Sequence, residues 1–292
     1  MTCEKASDKR GLFLYLACLI AIMDNTLFPF VLLYLVLLPL IVYRVFFRVI
    51  EPLYISMFNK PVYVHFYPIR RKLSQSQLSV LRNEVRFFAR LSMKRQQYFE
   101  HRVACFIESY SFHGRDGLAI SEAMRIKIAA SYVMLTFGMR TYRVREFDKI
   151  ILYPGSFLST ATNAMHNGEF NPQLKAVVFS WEHFEHGFLI GNDNLNLGIH
   201  EFTHVMHHSG IRSRLNQAAI FATMYGKIIK EVKHPPNAQR LLHSNYFRAY
   251  AYTNEYEFLA VILENFFETP EIFEQEFPEL YANVRQMINY RG

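Results

Sequence analysis

An α+β domain with a small sheet and flanking helices, preceded by an N-terminal membrane segment, is the fold class predicted by this 292-residue sequence. Three observations predict it. Two uncharged apolar stretches, residues 12–22 and 27–43, open the chain. Beyond about residue 60, helical periodicities are interrupted by two short β-rich runs. No internal repeat, Ser/Gly linker or low-complexity tract divides the remainder. The expected organisation is therefore a membrane anchor with a basic juxtamembrane segment over 1–59 and a single catalytic-sized domain over 60–292.

Hydrophobic residues make up 51% of the chain and charged residues 20%, which excludes disordered and collagen-like readings. The three cysteines, Cys3, Cys18 and Cys105, are odd in number and lack a CxxC spacing. They suggest neither a thiolate metal site nor a disulfide framework, and a reducing compartment fits best. A spanning helix needs roughly 20 apolar residues. The second apolar stretch meets this if Val45, Phe46 and Phe47 extend it, whereas the first is short even with Gly11 and Met23. One span is expected, two if the first stretch also inserts. A cleaved signal peptide is the competing reading of the first stretch, but no small-x-small cleavage site follows it. Pro29 and Pro39 predict kinks rather than a break.

Between Arg44 and Arg102 there are twelve Lys/Arg against three acids, Glu51, Glu84 and Glu100. This surplus beside a span places the domain on the cytoplasmic side and attracts anionic lipid. Direct nucleic-acid binding is not expected, because the surplus abuts the apolar segment and no nucleic-acid motif accompanies it. Within it Arg82, Arg86, Arg90 and Lys94, spaced by four, read as the solvated face of a helix.

Ser74 with Gln77 forms a capping box ahead of Leu78, Leu81, Val85, Phe88 and Leu91, predicting a helix to about Met93. A second helix is expected from about Gln97, with Phe99, Val103 and Phe106. Ser121 caps a third through Met124, Ile128, Tyr132 and Leu135, closed by Gly138. Runs 149–153 and 175–181 read as strands, bounded by Pro154 and by Asn171-Pro172. After Asn196 the pattern is helical again, broken at Pro235-Pro236 and resuming over 255–267.

Residues 200–204 read His-Glu-Phe-Thr-His, an HExxH pattern inside a predicted helix. Histidines at i and i+4 project from one helix face, so His200 and His204 can reach one Zn²⁺ at roughly 2.0–2.1 Å. Glu201 lies beside them, placed to take a proton from a water at the metal and pass it to a leaving amine. Ile199, Phe202 and Val205 bury the other side. A catalytic zinc needs a third protein ligand. The extended HExxHxxGxxH pattern is excluded, because its positions carry His207 and Gly210. His207 and His208 follow on the same helix, where a third ligand would be crowded. Glu255, Glu257, Glu264 and Glu268 are the carboxylate candidates, with Glu257 and Glu264 sharing a face with Tyr250 at intervals of seven. Asn254 with Glu257 is also an N-cap with an acidic N3 partner, so from the residues alone ligand and cap stand level. The eight glutamates between 255 and 279, with no Lys or Arg among them, read mostly as solvated surface.

Val177-Val-Phe-Ser-Trp181, Ile199-His-Glu-Phe-Thr-His204 and Tyr250-Ala-Tyr-Thr-Asn-Glu-Tyr-Glu257-Phe-Leu-Ala-Val261 together resemble the Mlc titration factor A family of zinc-dependent peptidases. Residues 121–130 and 151–154 resemble its helix and strand segments, and the likeness covers roughly 65–285. The Thr-Asn-Glu-x-Glu-Phe stretch also resembles the catalytic domain of anthrax lethal factor, to which this family is structurally akin.

The resemblance implies a zincin-like fold and a gluzincin-type site. His200 and His204 match the histidine ligands, Glu201 the general base, and Glu257 the third ligand, which separates the alternatives left level above. Tyr250 matches the tyrosine that hydrogen-bonds the tetrahedral oxyanion, with Tyr252 its competitor for the role. The implied chemistry is hydrolysis of a peptide or protein substrate, including aminopeptidase action, with Zn²⁺ as cofactor. The strand over 175–181 is a candidate substrate-aligning edge. The family's best-known members are soluble and cytosolic, whereas this chain opens with a membrane segment; a bacterial inner membrane is the expected location. The competing function is a binding module that captures a regulatory protein such as a transcriptional repressor, the zinc site being latent. An intramembrane protease is rejected, because HExxH lies about 150 residues beyond the apolar segment.

Overall fold

A computed structural model describes residues 28–212 and 216–291. The first apolar stretch, with Cys3 and Cys18, lies outside the described residues. The chain divides into two units, residues 1–56 and 57–292.

The described part of the first unit is helical. Helix α1 (Phe28–Val45) passes through a π-helical turn at Phe46–Ile50 into α2 (Glu51–Phe58). Together they form the one described helix long and apolar enough to cross a membrane, and none of its most apolar 18-residue window is buried. The helix continues unbroken through Pro39.

The second unit begins with an extended segment and then α3 (Gln75–Glu84), α4 (Arg86–Arg90) and α5 (Met93–Ser109). Ser74 caps α3 reciprocally with Gln77. The single helix expected to Met93 is interrupted at Val85, whose extended backbone (φ −104°, ψ 93°) redirects the chain so that Leu81, Val85 and Phe88 all reach the core. Helix α5 starts four residues earlier than expected. Arg82, Arg86, Arg90 and Lys94 are exposed, as expected, but distributed over three helices.

Strand β1 (Ser111–Gly114) leads through α6 (Glu122–Thr136) to β2 (Lys149–Tyr153), a parallel βαβ unit. Ser121 Oγ accepts from Met124 N–H at 3.2 Å. Gly138 is needed less to turn the chain than to admit it: a Cβ there would lie 2.2 Å from the Ile288 carbonyl oxygen. A small hairpin, β3 (Phe157–Leu158) with β4 (Met165–His166), precedes β5 (Gly168–Asn171) and β6 (Ala176–Ser180). The main sheet has the order β1-β2-β6-β5, with β5 antiparallel to the rest.

This order corrects the expectation that the strand near Trp181 is the aligning edge. β6 is paired on both sides and all five of its residues are buried, as a Val/Phe-rich strand with no alternation should be. The edge strand beside it is β5. Ser180 N–H donates to the Asn167 carbonyl at 2.7 Å, and antiparallel alternation then turns the peptide groups of Gly168 and Phe170 away from β6.

Helix α7 (Trp181–Leu189) follows β6 directly, and α8 (Leu197–Arg212) packs on the sheet and on α6. Ile199, Phe202 and Val205 are fully buried. Phe202 sits among Phe106, Tyr132, Phe147 and Phe179, with ring centroids 5.1–6.1 Å away. The chain finishes with α9 (Asn216–Lys233), α10 (Pro235–Ser244), a 3₁₀ turn (Ala249–Tyr252), α11 (Glu255–Glu268), α12 (Pro270–Glu276) and α13 (Pro278–Met287). The second unit is thus a mixed helix-and-sheet domain in which α8 lies between the sheet and α11.

Candidate metal centre

Asn196 starts α8, its side-chain oxygen accepting from Ile199 N–H at 3.0 Å. One face of the helix then buries apolar residues while His200 and His204 emerge one turn apart on the side toward α11. Asn254 caps α11, its oxygen accepting from the N–H groups of Tyr256 and Glu257 at 2.9 and 3.0 Å. The cap and the approach of a carboxylate to the histidines are therefore compatible, because they use different atoms. Asn254 serves the backbone, and the Glu257 carboxylate turns to the histidines.

His200, His204 and Glu257 each bring one donor atom to within 4.8 Å of the others. Glu257 Oε2 lies 2.9 Å from His200 Nε2 and 3.5 Å from His204 Nε2, yet it is buried and makes no aligned hydrogen bond. A tetrahedral ion bound at about 2.0–2.1 Å would hold its ligands roughly 3.3 Å apart, a spacing that these two distances bracket. Two imidazoles and a carboxylate fit a divalent metal with a position left open for chemistry. The protonation state fits too. Burial opposes a charge on His200, but Glu257 and Glu264 outweigh it and raise its pKa to about 10. Burial likewise opposes a charged Glu257, and the two histidines overcome this and hold its pKa well below the usual carboxylate range. The carboxylates thus face a positive charge, which a cation replaces as it displaces the imidazole proton.

Behind these three residues, Glu264 is buried on the same face of α11 and accepts from His200 Nδ1–H at 3.1 Å. Its other oxygen pairs with Arg248 at 2.6 Å. A carboxylate on the far nitrogen fixes the tautomer and ring orientation of a ligating histidine. Arg248 also donates to the Asn194 carbonyl. Glu268 accepts from Asn194 N–H at 2.8 Å and from the Asn196 amide at 3.0 Å, so the loop that starts α8 is anchored to α11. Burial foremost raises the Glu268 pKa to about 7.

Glu201 is buried against the edge strand. A Cβ on Gly168 would lie 2.5 Å from Glu201 Oε1, so only glycine lets β5 approach this closely. Burial pushes the Glu201 pKa up, while its neighbours His200 and His204 and the Phe170 N–H, which it accepts, pull the other way. Tyr250 projects from the 3₁₀ turn with its ring centroid 5.9 Å from that of His200. Burial, then Glu257 and Glu201, raises its pKa to about 12. Its competitor Tyr252 is turned elsewhere, donating to the Leu241 carbonyl at 3.0 Å. A cleft of about 740 Å³ opens over Glu201, His200 and Tyr250, bordered by Gly168, His183 and Leu197.

The remaining candidates separate cleanly. Glu255 pairs with Lys233 and accepts from Tyr225 O–H at 3.3 Å. His207 is buried between the rings of Tyr225 and Tyr256, where burial lowers its pKa to about 4. The ring of His208 meets Phe170 at 5.5 Å. The acidic run divides in two: Glu271, Glu274, Glu276 and Glu279 are exposed, whereas Glu255, Glu257, Glu264 and Glu268 are at least partly buried and engaged. Arg248 and Asn196 escaped the sequence reading. For Asn196 a signal was present, an Asn three residues before a helical apolar position; for Arg248 there was none.

These residues fall in the part of the chain that known proteins match. An uncharacterized protein of Synechocystis sp. is 23% identical over 241 residues, an alignment covering 74% of this chain and 84% of that protein. The sequence model of the glucose-regulated metallopeptidase M90 family matches residues 67–290, which takes in every element from the extended segment before α3 to α13. The chain belongs to that metallopeptidase family, the family of Mlc titration factor A.

Proposed function

We propose that this chain is a membrane-tethered zinc peptidase of gluzincin type, built on a zincin-like fold, with His200, His204 and Glu257 as ligands. The observation that carries this reading is the convergence of three donor atoms on one point, with the buried carboxylate of Glu201 beside it and an open cleft above. Bound there, Zn²⁺ supplies Lewis acidity, making water nucleophilic near neutral pH and polarising the scissile carbonyl.

The chain's own groups do the rest. Glu201 takes the proton of the attacking water and returns it to the leaving amine, and its desolvation brings its basicity closer to that task. Tyr250 O–H, half exposed in the cleft, donates to the oxygen on which negative charge develops. The outward peptide groups at Gly168 offer an extended substrate an edge to pair with. Helix α1–α2 supplies the tether, and the basic flank that follows orients the domain to the cytoplasm.

The test compares the native chain with Glu201→Gln for metal content and for cleavage of unstructured peptides, with free and with blocked N-termini. One zinc per chain in both proteins, with turnover reduced about 10²–10⁴-fold in the variant, is the expected result. Full turnover by Glu201→Gln would remove Glu201 from the role of base. Zinc without cleavage in either protein would favour the binding-module reading. Cleavage confined to free N-termini would identify an aminopeptidase.

A further inference from the structure

At the end of the sheet where β1, β2 and β6 begin, the loop between α6 and β2 forms an open basin of about 710 Å³ lined by Tyr110, Arg140, Arg143, Arg145 and Lys175. Arg143, Arg145 and Lys175 are exposed. The acids nearby are Glu146, which accepts from Arg145 N–H at 2.8 Å, and Asp148, which pairs with Lys149 at 3.3 Å. Four cations thus line the basin with one acid, Asp148.

The basin is held in shape from beneath. Buried Arg102 donates to the carbonyls of Thr136 and Met139 at 2.8 and 2.7 Å. Tyr132 O–H donates to the Tyr142 carbonyl at 2.5 Å. The Tyr110 hydroxyl lies 3.1 Å from both the N–H and the C=O of Val144.

The segment that follows the apolar helix joins the same surface. Asn59, in the left-handed region at φ 49°, turns the chain out of α2, and four residues later the Tyr63 ring lies under Arg140 at 4.7 Å. His65 stacks on Tyr98, and Tyr67 O–H accepts from Arg102 Nε at 2.6 Å. Arg71 N–H donates to His101, whose pKa burial lowers first and the nearby guanidiniums of Arg102, Arg143 and Arg71 lower further. Arg71 and Arg143 therefore lie on one face, where Arg71 also pairs with Glu108 at 3.4 Å. Phe66 and Ile69, in the same segment, are 73% and 85% exposed. From Phe58 to Tyr63 the chain spans at most about 17 Å, so wherever the helix points, Tyr63 and Arg140 stay close to its end.

We propose that this basin and the segment over 60–72 form a seat for the phosphate headgroups of anionic lipids in the membrane that holds α1–α2, with Phe66 and Ile69 entering its interface. The proposal rests on the tethered reading above. A bilayer fits the observations because exposed cations interleaved with exposed apolar side chains match a surface that is charged outside and oily within. The function is to hold the domain against the bilayer in one orientation.

The test measures amide exchange of the full chain in nanodiscs of phosphatidylcholine alone or with added phosphatidylglycerol, after alkaline carbonate extraction has established whether the chain is embedded. Exchange over 60–72 and 139–149 should slow roughly tenfold or more in the anionic discs. The protection should vanish at high salt and in the combined variant Arg143→Gln, Arg145→Gln, Lys175→Gln, whose unchanged metal content verifies its fold. Equal exchange in both discs, or protection that survives the triple substitution, overturns the proposal. Equal protection by inorganic phosphate in phosphatidylcholine discs overturns it in favour of a soluble anion. A chain released by carbonate fails the tethered reading and this seat with it, whereas an embedded chain without lipid-dependent protection fails this seat alone.

Discussion

The two ends of the sheet carry opposite kinds of polar surface. Where β6 ends and α8 packs across it, the charged groups are buried or partly buried and each touches at least one other: Glu257 with His200 and His204, Glu264 with His200 and Arg248. Where β1, β2 and β6 begin, Arg143 and Arg145 on the loop before β2 and Lys175 in the turn before β6 stand in solvent, the loop being pinned through its backbone. The difference matches what the two proposed tasks would demand. Metal ligands and a base must be held to a fraction of an ångström, and here Glu264 fixes His200 while the Phe170 N–H holds Glu201. Attraction to a fluid charged surface needs only the number and sign of the cations.

If the first end is a mutually braced cluster, its members should fail in a graded order. Glu257→Ala removes a ligand outright, so metal content should fall to background and hydrolysis with it; retained stoichiometric metal would show that Glu257 is only part of a helix cap. Glu264→Ala leaves every ligand in place but frees the His200 ring and strands Arg248. Metal affinity should drop about 10–100-fold and stability by about 1–3 kcal/mol, measured by metal titration and denaturant melts. Gly168→Ala alters none of the three residues proposed as ligands. The added methyl displaces Glu201, so metal content should stay unchanged while turnover falls about tenfold or more.

The smallest expected effect lies at the outer brace, Glu268. Its pKa rises on folding from the usual 4.5 to about 7, so between those values the folded state holds more proton than the unfolded state. Stability must then decline as pH rises through this window. In Glu268→Gln that contribution is gone, and its melting temperature should change less between pH 5 and 8 than that of the native chain. The scale is roughly 2–4 °C per kcal/mol for a domain of this size. Parallel pH profiles would show that Glu268 does not titrate there.

Much of this was legible in the residues. Capping boxes and apolar spacing located α3, α6, α8 and α11, because an amphipathic helix writes its period into local sequence. The runs rich in β-branched and aromatic residues, bounded by turn residues, located β2 and β6. The short strands β1 and β5 were not visible: Ser-Phe-His-Gly and Gly-Glu-Phe-Asn carry no alternation, and neighbours define them as strands. The break at Val85 was likewise invisible, since its apolar spacing is that of a continuous helix.

By itself, the sequence determined the pair His200 and His204 with Glu201 between them, because four residues of helix suffice to align them. It also determined the apolar N-terminal segment and the family. The family resemblance had already pointed to Glu257; only the tertiary structure decided that Glu264 and Arg248 stand behind His200, that β5 rather than β6 is the edge, and that Arg143 shares the basin with Lys175. The reason is separation: Glu264 reaches His200 from 64 positions away and Arg248 reaches Asn194 from 54, and no local period records which distant side chain a fold will bring near.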